Sequence, residues 1–81
     1  MLTEKQIRDA KMLDSAKRAV ALAGGNAEVR RLLAKNGMPI SRAAISLWKR
    51  IPCNKVELLH HATMGRVTKH EMRPDVFRNE G

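Results

Sequence analysis

The stretch from Asn26 to Arg50 constrains the fold more than any other part of this 81-residue chain. Val29, Leu32 and Leu33 recur at i, i+3 and i+4, which predicts a helix with a single apolar stripe. Gly37-Met38-Pro39-Ile40 then breaks the period. Glycine suits the left-handed position just past a helix end, and proline prevents the helix from continuing. Ser41 stands where a following helix needs an N-cap, with a hydroxyl to accept an amide hydrogen bond. Beyond it Ala44, Ile45 and Trp48 predict a buried face, which leaves Arg42, Ala43, Ser46, Leu47, Lys49 and Arg50 on the other sides. Two short helices split by a turn read as a helix-turn-helix, with a second helix, expected over residues 41–50, suited to entering a groove.

The length allows one domain, residues 1–81, with one modest core. Trp48 and Phe77 are its only aromatics, so that core must be built from Leu, Ile, Val, Ala and Met. The formal net charge of +8 is unevenly placed. Between residues 26 and 50, Arg30, Arg31, Lys35, Arg42, Lys49 and Arg50 face a single acid, Glu28. Residues 51–65 balance to zero. A cationic excess concentrated on a turn-linked helix pair is the footprint a polyanion requires. Cys53 is the only cysteine, which excludes an internal disulfide and a thiolate metal cluster and suits a reducing compartment. No apolar run reaches membrane-spanning length and no secretory segment follows the first residues, so a cytoplasmic location is expected, with no membrane partner.

Upstream, Thr3 and Gln6 fit a capping box that opens a helix through Ile7, Ala10 and Leu13. Ala16, Ala19, Val20 and Ala23 carry an apolar stripe on to Gly24-Gly25. The pattern leaves open whether residues 3–23 are one helix or two joined at Asp14-Ser15, with Ser15 as a cap. Residues 1–13 read as an arm, extra helical turns or a dimerisation element. Asn26 is the expected N-cap of the next helix. Ile51-Pro52 closes the helix after it, because a residue before proline is pushed out of the helical region. Asn54 is then expected to cap a helix with Val56, Leu59 and Ala62 or Thr63 inside, ended by Met64-Gly65-Arg66. Val67 is expected to be briefly strand-like, Thr68 and Glu71 to form a second capping box, and residues 73–77 to run extended with Phe77 on the core. Residues 78–81 are expected to fray. The fold class is all-α: a small bundle of four to five helices containing the helix-turn-helix.

Several pieces in order resemble the Cro-like helix-turn-helix regulators of phages and prophages, in particular the YdaS-like family. They are Ala19 to Asn26 before the motif, Leu32-Leu33 within it, Ser41 to Trp48 in the second helix, and Ile51-Pro52 after it. The tail Ala62-Thr63-Met64-Gly65-Arg66-Val67-Thr68-Lys69-His70-Glu71-Met72-Arg73-Pro74-Asp75 is the most distinctive. The match runs over residues 16–77. The chain departs from the family's pattern in the turn, where Ala34-Lys35-Asn36 precede Gly37 and Met38-Pro39 precede Ile40-Ser41. That insertion implies a longer first helix of the pair and a wider turn. The resemblance implies a lambda repressor-like domain that binds operator DNA as a sequence-specific transcriptional regulator, without enzyme activity or cofactor.

On this reading Arg42, Ala43, Ser46 and Leu47 read bases. Arginine can donate two hydrogen bonds to guanine, serine can bond a base edge, and Ala or Leu can touch a thymine methyl. Asn26, Ser41, Lys49 and Arg50 are assigned to phosphates, which position a protein without reading sequence. Arg30, Arg31 and Lys35 fit a solvated outer face, and Trp48 fits the core. His60 and His61 are adjacent and so point in different directions on a helix, which argues against a metal clamp. No catalytic constellation and no small-molecule site is expected. A short reading helix implies a homodimer on a pseudo-palindrome with half-sites about 10 bp apart. The rival readings are an activator or antitoxin of the same fold, and a protein-interaction module that docks an acidic partner.

Overall fold

A computed structural model describes residues 1–77 of the chain. Among these residues it is all-helical: α1 (Glu4–Leu22), α2 (Asn26–Lys35), α3 (Arg42–Ser46), a 3₁₀ turn (Cys53–Lys55), α4 (Val56–Ala62) and α5 (Lys69–Met72). The expected fraying of residues 78–81 lies outside the described residues.

The opening capping box forms: the Gln6 amide donates to Thr3 Oγ1 at 3.2 Å, and the Thr3 amide donates to Gln6 Oε1 at 2.8 Å. From there α1 is one unbroken helix of 19 residues. Ser15 is buried in its middle and caps nothing. Of the expected stripe Ala16 and Ala19 are buried, joined by Met12 and Ser15, whereas Ile7, Ala10 and Leu13 are not. The reason is position rather than periodicity. The first turns of α1 border an open groove instead of close-packed core, so Ile7 and Ala10 stay exposed, while Leu13 is half-buried. Further along, the small side chains of Ala16 and Ala19 let the bundle close against the helix.

Gly24 ends α1 at φ +110°, in the region where a side chain is strained, and a Cβ there would meet the Glu28 Cγ at 2.8 Å. The Gly25 amide donates to the Val20 carbonyl at 2.8 Å and closes the reversal. The core then gathers Ala16 and Ala19 from α1, Val29 and Leu33 from α2, Ile45 from α3, Ile51, Val56 and Leu59 around α4, and Val67 with Met72 near the end. Trp48 and Phe77 are half-buried against it, as their apolar character predicts.

Three other expectations at the C-terminal side need correction. Asn54 does not cap α4; it sits inside the 3₁₀ turn, Lys55 is the cap residue, and no side chain satisfies the helix end. Val67 is not in a strand but is a single buried residue held in a loop. Its amide donates to Thr63 Oγ1 at 3.4 Å, and its carbonyl lies 3.3 Å from His60 Nδ1. Residues 73–77 do not run extended: the Val76 and Phe77 amides both donate to the Arg73 carbonyl, at 3.1 and 2.8 Å, folding the tail back on itself. The second capping box does form, with the Glu71 amide donating to Thr68 Oγ1 at 3.1 Å.

Candidate nucleic-acid interface

Six residues, Asn36 to Ser41, separate α2 from α3. α2 runs on to Lys35 because Ala34 and Lys35 are good helix formers, and it stops where Gly37 takes φ +74°. The Met38 amide then donates to the Leu33 carbonyl at 2.8 Å, closing the helix end. Within the connection, Met38 and Ile40 lie half-buried against the core while Pro39 is exposed. α2 thus spans ten residues before the six-residue connection to α3.

Ser41 is the N-cap of α3, as expected, accepting a hydrogen bond from the Ala44 amide at 3.1 Å. Ile45 is buried to 3 % exposure, and with half-buried Ala44 and Trp48 it anchors α3 to the core. The opposite side is open: Arg42, Ala43 and Ser46 are exposed, and Leu47 is 79 % exposed.

The helix is shorter than residues 41–50. It ends at Ser46, with Leu47 as its C-cap, so Lys49 and Arg50 stand on the segment after the helix. The cause is local. Ile51 is fully buried and precedes Pro52, which disfavours helical backbone at Ile51. The chain must leave the helix early enough to swing Ile51 into the core, and the Trp48 amide tightens onto the Ile45 carbonyl at 3.1 Å as it does so.

Asn26 also differs from expectation. Gly25, at φ +96°, occupies the N-cap position of α2, and Asn26 is the first helical residue with no capping bond. Its side chain instead crosses to the other helix, where Nδ2 donates to Ser46 Oγ at 2.6 Å. This clasp joins one predicted phosphate contact to one predicted base contact. No period or cap rule on one helix reveals it, because it links residues twenty positions apart.

The electrostatics follow the same division. Arg31 pairs with Glu28, but Arg30, Lys35, Arg42, Lys49 and Arg50 have no carboxylate within 4.0 Å among the described residues. The segment after α3 is itself held from behind by the tail. Arg73 Nη1 donates to the Ile51 carbonyl at 3.3 Å, and the rest of its guanidinium grips Asp75 through Nε–Oδ1 at 2.9 Å and Nη2–Oδ2 at 2.8 Å. The Arg73 hydrogen bonds hold the Asp75 carboxyl below its ordinary range against the opposing effect of burial, and Arg50 contributes a smaller push in the same direction. The role of Arg73 was not legible from charge alone; the Arg73-Pro74-Asp75 spacing in the tail was the available signal.

Ser41, Arg42, Ala43, Ser46, Leu47, Lys49 and Arg50 are thus all exposed on α3 or at its edges, and Asn26 meets them through Ser46. A family model described as bacterial toxin YdaS matches residues 16–80. No curated protein and no solved structure matches the chain.

Proposed function

The chain belongs to the YdaS family, and from that premise we propose that it is a DNA-binding transcriptional regulator of phage or prophage type, a Cro-like repressor that places α3 in the major groove of an operator. It acts by binding rather than by catalysis, and it works in the host cytoplasm. The observation that carries this reading is the outer surface of α3: a short helix anchored by Ile45, open on its other side, and bordered by cations that find no carboxylate among the described residues. In a folded protein such cations repel one another, and a phosphate backbone neutralises them with release of counterions.

Roles follow from position. Arg42 lies in the first turn of α3, where a side chain that enters the groove end-on reaches base edges. Ser46 is one turn further along, steadied by Asn26, which leaves the serine hydroxyl hydrogen able to donate. Lys49 and Arg50, beyond the helix, suit the flanking phosphates, and the amide end of α2 beside Asn26 suits another. Five residues of helix read only a few base pairs, so useful specificity calls for two copies on a two-fold site.

The family's description names a toxin. A regulator whose excess occupies promoters essential to its host would arrest growth through this same surface. Toxicity on overexpression would then vanish with Arg42→Ala, whereas a toxin acting through a protein target would keep it. The decisive experiment is selection of bound duplexes from a random library at low and near-physiological salt. An enriched two-fold motif is the expected result. Binding without enrichment that collapses as salt rises reduces the interface to phosphate attraction. Absence of binding at both salts overturns the proposal in favour of an acidic protein partner.

A further inference from the structure

The first turns of α1 stand apart from everything described so far, and the family match begins only after them, at residue 16. Residues 1–8 are exposed without exception, including Leu2 at 63 % and Ile7 at 42 %. Beside them a groove of about 860 Å³ runs between α1 and the tail at His70, Glu71 and Pro74. Glu4, Lys5, Arg8, Asp9, Lys11 and Asp14 form no ion pair within 4.0 Å among the described residues. They are three acids and three bases, so this strip is neutral on a chain of net charge +8. Around α2 and α3 the excess of like charge opposes contact between two copies; here it does not.

We infer that this strip is where two copies of the chain pair, with their α1 helices antiparallel and Glu4 of each opposite Lys11 of the other. Glu4 and Lys11 are two helical turns apart, on one face with Ile7 and Arg8 between them. A two-fold axis halfway between Ile7 and Arg8 brings both Glu4–Lys11 pairs into register at once. The same axis lays the two Ile7 side chains and the aliphatic stems of Arg8 across one another. It also directs Leu2 of each copy toward the groove end beside the tail of the other. Sliding the helices by three residues instead sets Glu4 against Asp14, a like-charge contact that selects against that register. Isologous pairing of this kind repeats every contact twice, so a short strip suffices for a weak dimer. A dimer held by this strip alone is weak, so it forms at high concentration or when DNA presents two half-sites. The surface rests on its own observations; its use on an operator rests on the reading proposed above.

The test is sedimentation equilibrium of the full chain, without DNA, in low salt over a concentration series. Wild type is expected to self-associate. Glu4→Lys and Lys11→Glu should each weaken the dimer by roughly tenfold or more, since each converts both ion pairs into repulsions. The double variant Glu4→Lys/Lys11→Glu should restore it, because the reversed pairs are again complementary. Far-UV circular dichroism checks that all four proteins keep the same helix content. The inference is overturned by a wild type that stays monomeric up to ~1 mM, by single variants that associate like wild type, or by a double variant that fails to recover. A monomer that still selects a DNA motif would sink this inference and leave the operator reading standing; a charge-reversible dimer that binds no DNA would do the opposite.

Discussion

Around α5 and the tail, Arg18 pairs with Glu71, Lys69 with Glu57 and Arg73 with Asp75, whereas around α2 and α3 only Arg31 finds a carboxylate among the described residues, Glu28. The two regions share one core, so the contrast is not between a folded part and a loose one. Nor does it reflect a difference in the stability such pairs supply, because exposed ion pairs contribute about 0–1 kcal/mol each. What differs is which charges remain available. The tail region spends its cations on fixing its own chain, most clearly where Arg73 bonds the Ile51 carbonyl behind α3. The α2–α3 region leaves Arg30, Lys35, Arg42, Lys49 and Arg50 without a carboxylate partner among the described residues. One side of the bundle is a support and the other is a surface, and substitutions should divide accordingly.

The largest effect tests whether the two regions are one cooperative unit. Leu33 is fully buried where α2 meets the shared core, and Leu33→Ala should cost about 2–5 kcal/mol. In urea, Trp48 fluorescence on the α3 side and helix content from the whole bundle should shift together. A fluorescence transition that moves alone would split the molecule into two separately stable halves and break the comparison. Next comes Arg42→Ala, which belongs wholly to the surface. It should leave the urea midpoint unchanged, because the residue is exposed and has no ion-pair partner among the described residues. It should relax preference at one base position by about 1–3 kcal/mol. Unchanged base preference in a selection repeated with the variant would remove Arg42 from the reading role.

Much of this division is legible in the sequence, and the failures have physical reasons. Caps are local events, so Thr3–Gln6, Ser41 and Thr68–Glu71 were readable from residue type and spacing, and each forms. Val29, Leu33 and Ile45 follow a helical period and are buried as that period predicts. Where tertiary structure decided, local rules failed. The apolar residues of early α1 match a core pattern, but they border an open groove instead of close-packed core. Asn26 has the chemistry of an N-cap, yet the flexible Gly25 before it takes that position and releases the asparagine to reach Ser46. α3 obeys its period only until Ile51 must turn inward, and that demand ends the helix before Lys49 and Arg50. Charge excess was readable by counting; which cations are already paired was not, because Arg18–Glu71 spans 53 positions.

The support region should announce itself in acid. For Glu71, burial pushes the carboxyl up, but hydrogen bonds from the Thr68 amide, the Arg18 guanidinium and the Thr68 hydroxyl outweigh it and leave the group below its ordinary value. Asp75 is lowered chiefly by Arg73. A carboxyl depressed in the folded state contributes stability that is complete above its unfolded pKa, about 4, and is lost as pH falls through the lower folded value. Urea midpoints should therefore hold steady from neutral pH to about 5 and fall below about 4. Asp75→Asn should lower the neutral-pH midpoint and make the acid loss shallower. If wild type and Asp75→Asn lost stability in parallel on acidification, the Arg73–Asp75 grip would not be part of the support.

The smallest effect bears on the segment that joins the two regions. Lys49 is exposed on the chain between α3 and Ile51, the residue whose carbonyl Arg73 holds from behind. If it contacts a phosphate, Lys49→Ala should weaken binding to every duplex by a similar factor and lower the slope of log affinity against log salt by about one, with base preference untouched. Arg73→Lys should act on the same segment indirectly: a lysine keeps the charge but cannot bridge Asp75 and the Ile51 carbonyl with a planar fork. Its salt slope should stay at the wild-type value, since it removes no phosphate contact, while affinity falls because Lys49 and Arg50 lose their backing. A salt slope reduced equally by Lys49→Ala and Arg73→Lys would mean that the tail itself meets the polyanion, and the line between support and surface would have to move to include it.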